Sequence, residues 1–131
     1  MGFDMKILQC RKFDLERALN KYCKVDINEL PYEAIENLES EAHSRLFTSR
    51  IHILDSMEDK LPYAHDTYVF LSKNHYNSII SYCEQKKKVL YPEMLKNIKV
   101  REYGECVRML EFLNDLKIDW NNEVLLYEYD C

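Results

Sequence analysis

The chain holds 2 glycines and 3 prolines among 131 residues. Loops that cradle phosphate through backbone N–H groups need several glycines at fixed spacing. Neither GxxxxGK[ST] nor GxGxxG occurs, which argues against P-loop and Rossmann-type nucleotide sites. HExxH, the EF-hand pattern and GxSxG are missing too, against zincin, calcium-loop and serine-hydrolase chemistry. No CxxC joins any of Cys10, Cys23, Cys83, Cys106 and Cys131, so a zinc ribbon or thioredoxin-type motif is not indicated. His43, His52, His65 and His75 do not show zinc-ligand spacing either. No run reaches the roughly 20 apolar residues of a membrane span.

What is present is an ordinary globular composition, 47% hydrophobic and 31% charged, with length for one domain over residues 1–131. An odd number of widely spaced cysteines, without an apolar segment in Met1–Cys10, fits free thiols and a cytoplasmic protein. Lys (12), Tyr (10), Asn (9) and Ile (9) are abundant while Ala (4) is scarce. This bias suggests an AT-rich genome, bacterial or phage. No cofactor and no metal site is expected.

The net charge of −5 is unevenly spread. Residues 1–28 carry +2, 29–66 carry −6, 67–101 carry +5 and 102–131 carry −6. Alternating blocks predict separate acidic and basic faces. An acidic chain makes nucleic acid an improbable general ligand and favours a basic protein partner.

Periodicity predicts a short strand over Met5–Cys10 and a helix over Phe13–Lys24. Pro31 suits the first turn of a second helix, whose stripe Ile35, Leu38, Ala42 and Leu46 extends with helical spacing to Leu61. A break is expected near Thr48–Ser49, with a short strand at Ile51 and Ile53 as the alternative. Thr67–Leu71, apolar on both sides, reads as a covered central strand. Tyr76, Ile79, Ile80 and Cys83 mark a helix, and Tyr103–Lys117 another. Ile98 and Val100 alternate with charge as an edge strand would, and Glu123–Asp130 reads as the last strand. The expected fold is α+β: a small mixed sheet of three to four strands packed with about four helices.

Four constellations carry chemistry. Tyr127 and Tyr129, beside Glu123, Glu128 and Asp130, would give an aromatic and acidic binding face. Glu33, Glu36 and Glu39 form an acidic ridge suited to a basic partner. Arg45 and Arg50 could bind an anion, although Arg45 also stands at i+4 from Glu41 on a continuing helix. Finally, Arg11 closes the first strand, Ser72 follows a strand and precedes a helix, and Glu128 or Glu123 lies on the last strand. This chain order resembles the Arg…Ser…Glu order of ADP-ribosyltransferase-type folds. The resemblance implies an NAD-handling transferase in which Arg11 holds phosphate, Ser72 orders the site and Glu128 stabilises an oxocarbenium ion. The Ser-Thr-Ser style motif and the ExE loop of that family are missing. The polarity of charge favours a non-catalytic protein that binds a macromolecular partner, of the inhibitor, immunity or anti-defence kind. The transferase, or a nucleotide- or anion-binding accessory protein, is the alternative.

Overall fold

The computed structural model describes residues 4–50, 53–96 and 100–130. It is an α+β fold whose four strands form one antiparallel sheet in the order β2-β1-β4-β3. The strands are β1 (Asp4–Arg11), β2 (Arg45–Ser49), β3 (Val69–Leu71) and β4 (Glu123–Asp130), and the helices are α1 (Lys12–Lys21), α2 (Tyr32–Glu39), α3 (Lys73–Leu95) and α4 (Val100–Asp115). The two long strands pair along their whole length, from Asp4↔Asp130 to Arg11↔Glu123.

Alternation along a strand sends successive side chains to opposite faces, and both faces here are apolar. Met5, Ile7, Phe47, Leu71, Leu125, Tyr127 and Tyr129 meet Ile79 and Cys83 of α3 and Met109, Leu110 and Leu113 of α4. Leu8, Cys10 and Leu126 on the other face meet Leu15 of α1 and Ala34 and Leu38 of α2. α3 and α4 run antiparallel: the Tyr76 hydroxyl donates to the Leu113 carbonyl at 2.6 Å, and Lys86 lies 3.9 Å from Glu102.

Several expectations change. The sheet is antiparallel, not mixed: β1 pairs antiparallel with β2 and β4, and β3 with β4. The second helix stops at Glu39, and its apparent continuation through Leu46 is β2. There the turn at residues 40–44 intervenes, and Phe47 and Ser49 point inward with a period of two. Ile51 and His52 lie outside the described residues, and Ile53 sits in a turn. The strand at Thr67–Leu71 is shorter and lies at the sheet's edge, with Phe70 52% exposed. α3 continues through Pro92, which forgoes one intrahelical N–H bond. Of the expected edge strand, Ile98 falls outside the described residues and Val100 begins α4.

Scarce glycine leaves a mark on the backbone. α1 ends in a Schellman turn: Lys24 N–H bonds the Leu19 carbonyl at 2.9 Å and Cys23 N–H bonds that of Asn20 at 3.2 Å. The left-handed position of that turn, normally glycine, is held by exposed Cys23 at φ 55. A β-carbon there costs about 1–2 kcal/mol, partly offset by the lower unfolded-state entropy of a non-glycine residue. Cys23→Gly should therefore stabilise the fold by about 1 kcal/mol, read from urea unfolding midpoints at unchanged m-value.

Candidate functional site

β3 is three residues long and, among the described residues, pairs only with β4. Tyr129 donates its N–H to the Ala64 carbonyl at 3.0 Å and accepts from the Asp66 N–H at 2.8 Å. Odd-numbered residues of β4 thus turn their backbone groups toward β3. By the alternation of an antiparallel ladder, Tyr127 and Leu125 do the same toward Val69 and Leu71. Phe70 consequently turns its N–H and C=O outward, and among the described residues no strand lies beyond it. The edge is flanked by apolar side chains: Phe70 itself and Val25, which is 85% exposed.

Two hollows of about 380 and 210 Å³ share Ile27, Asn28, Thr67 and Tyr68 and so form one groove along this edge. Its apolar end is walled by Leu19, Val25, Val69 and Phe70. Its polar end is walled by Lys6, Asp66 and Glu128, with Tyr32 on the rim.

A buried network supports the polar end. The Tyr68 hydroxyl donates to Glu39 Oε2 at 2.6 Å, and Lys6 Nζ lies 3.4 Å from the same oxygen. Lys6 stands opposite Glu128 in the β1–β4 register. Burial first, then the bond to Glu39, raises the Tyr68 phenol far above its ordinary value. It is therefore a fixed donor at neutral pH and not a base. Among the described lining residues the acids Glu128 and Asp66 outnumber Lys6, with Asp66 lying 3.0 Å from His65 Nδ1, so this end of the groove is acidic.

The residues singled out from sequence are dispersed. Glu39 and Glu128, proposed for different reasons, come together around Tyr68. Glu33 and Glu36 remain on the solvent side of α2, because a three-residue step on an α-helix falls about 60° short of a full turn and brings Glu39 round to the sheet. Tyr127 and Tyr129 are 1% and 5% exposed, so their rings fill the core beneath α3 and α4 rather than offer a surface. Arg45 and Arg50 bracket β2 at opposite ends, roughly 17 Å apart at ~3.4 Å per residue. Glu41, no longer helical with Arg45, pairs instead with Arg17 at 2.9 Å.

The Arg…Ser…Glu order does not assemble around Glu128. Arg11 pairs in register with Glu123, five residues from Glu128, again roughly 17 Å along the strand. Its guanidinium forks onto Asp14 at 2.9 and 3.0 Å. Ser72 caps α3, accepting the His75 N–H at 3.1 Å while its own N–H bonds His75 Nδ1. The nearer Glu123 is itself held by Gln9 and by the Asp119 N–H. Lys6, Tyr68, Val25 and Phe70 were missed in the sequence. The signal in the sequence is the apolar run through Tyr68 and Phe70, which predicts a covered strand rather than an exposed edge.

No family model, curated protein or solved structure matches the chain.

Two predictions follow from these contacts. Tyr68→Phe leaves Glu39 half-buried with one fewer donor and should cost about 1–2 kcal/mol in denaturant unfolding. Asp14 is 2% exposed, and the Arg11 hydrogen bonds hold its carboxyl below the usual carboxylate range. Its depressed folded value means that its contribution is full above the unfolded value and fades as pH falls through the folded one. Stability should thus drop on acidification below about pH 4, and Asp14→Asn should flatten that limb of the urea-midpoint profile while lowering stability at pH 7.

Proposed function

We propose that this protein is a binding module that takes an extended, basic segment of a protein partner into the groove beside β3. The observation that carries the reading is the outward N–H and C=O of Phe70 on an exposed strand edge, flanked by Val25 and Phe70 side chains. An unpaired, apolar edge is a template for strand addition, and proteins that do not use one usually guard it with lysine or proline. Here no such guard stands on Val69–Leu71.

Charge supplies direction. An incoming lysine or arginine meets Glu128 and Asp66 at the polar end, while Glu33 and Glu36 on α2 extend the acidic field. The chain's net −5 favours encounter with a basic partner through steering. A module that covers a partner's strand in this way acts by masking, as an inhibitor or immunity-type modulator does. Buried unpaired thiols at Cys10, Cys83 and Cys106 suit a reducing cytoplasm.

The reading is tested with labelled peptides of alternating Lys and Val or alternating Glu and Val, followed by fluorescence anisotropy. The Lys–Val peptide should bind, weaken as salt rises, and lose roughly tenfold or more in affinity against Phe70→Lys. Equal binding of both peptides, or indifference to Phe70→Lys, would remove the support for this assignment.

A further inference from the structure

At the opposite edge of the sheet the charge is reversed. The end of β2 and one face of α4 flank a hollow of about 450 Å³ lined by Lys6, Arg50, Arg101 and Arg108, with Glu105 the one acid among the described lining residues. Arg101, Glu105 and Arg108 recur at i, i+4 and i+7, so α4 presents them along a single stripe.

Glu105 is already committed. Both of its oxygens accept from Arg108 Nη1 at 2.9 Å, and Oε2 also accepts from the Ser49 hydroxyl at 2.8 Å. The same guanidinium lies 5.3 Å from the centre of the Phe47 ring and 3.4 Å from the Thr48 carbonyl. Arg108 is thereby fixed in orientation, and its charge is largely balanced by Glu105. Lys6 is similarly shared with Glu39. Arg50 and Arg101 are exposed and, among the described residues, have no acidic partner. Two guanidiniums with no acidic partner among the described residues therefore face one concavity in a chain of net charge −5.

We propose that this hollow is a binding site for a compact small molecule carrying two or more phosphate groups. Guanidinium donors suit the paired oxygens of phosphate, and Arg50 and Arg101 bring two of them to this wall. Among the described residues the lining holds no aromatic ring and no aliphatic side chain, so the groups it offers are for the phosphates and not for a nucleobase. The basic residues of the site gather at this one hollow, and the acidic blocks elsewhere on the chain repel a long polyanion. This inference is independent of strand addition at β3, since the two sites share only Lys6.

The test is calorimetric titration with pyrophosphate, orthophosphate, sulfate, ATP and a single-stranded oligonucleotide. Pyrophosphate should bind more tightly than orthophosphate or sulfate, and ATP about as well as pyrophosphate, the base adding nothing. Arg50→Gln and Arg101→Gln, both at exposed positions, should each weaken pyrophosphate binding roughly tenfold, whereas Arg45→Gln at the far end of β2 should leave it unchanged. Circular dichroism verifies folding of each variant. Absence of pyrophosphate binding at millimolar concentration overturns the proposal. So does binding that survives the Arg50→Gln/Arg101→Gln double variant, or an oligonucleotide that binds where pyrophosphate does not.

Discussion

The pairing of β1 with β4 is the constraint on which everything else rests. These strands are the two inner members of the sheet, and they alone run its full height. Each sends residues into both cores: Met5 and Ile7 with Leu125 and Tyr127 to one side, Leu8 and Cys10 with Leu126 to the other. A slip of one residue would exchange the two sets and place Lys6 and Glu128 beneath α3 and α4, so the register is specified from both sides. The same register sets the polar positions. It puts Lys6 beside Glu128 at one end and Arg11 beside Glu123 at the other, and that separation is what keeps Arg11 and Glu128 apart.

The elements legible in sequence were those with one clean period. β1 and β4 matched their expected positions to within about a residue, and α3 followed from Tyr76, Ile79, Ile80 and Cys83. β2 was hidden because Ala42 and Leu46 happen to continue the helical spacing of Ile35 and Leu38. Periodicity cannot report that the chain turns between them. β3 was recognised but misplaced. Tyr68, Val69, Phe70 and Leu71 look like a strand covered on both sides, yet Phe70 is open to solvent. An apolar side chain at an edge and one in a core read identically in one dimension.

Much less of the candidate site was legible. Glu39 and Glu128 could be singled out as acids, but their convergence on Tyr68 depends on the lateral order of strands, which local patterns do not encode. Arg45 and Arg50 share a short segment of sequence, and an extended strand, unlike a helix, drives them apart. Conversely, Arg50 and Arg101 are distant in sequence and adjacent in space. The charge blocks do not map onto the sheet edges: Arg50 and Arg108 of the basic hollow belong to the two acidic blocks, and β3 beside the acidic end of the groove belongs to a basic one.

The inner strands also determine when the fold can exist. β1 belongs to the first stretch of this sequence to leave the ribosome and β4 to the last, yet each is the other's principal neighbour. Until β4 emerges, Leu8, Cys10 and Ile7 have no strand on one side, and both helical layers lack half of the sheet they cover. Closing so long a loop is slow, and the nascent chain carries exposed apolar surface throughout. The sheet can therefore be completed only once β4 is available to lie beside β1.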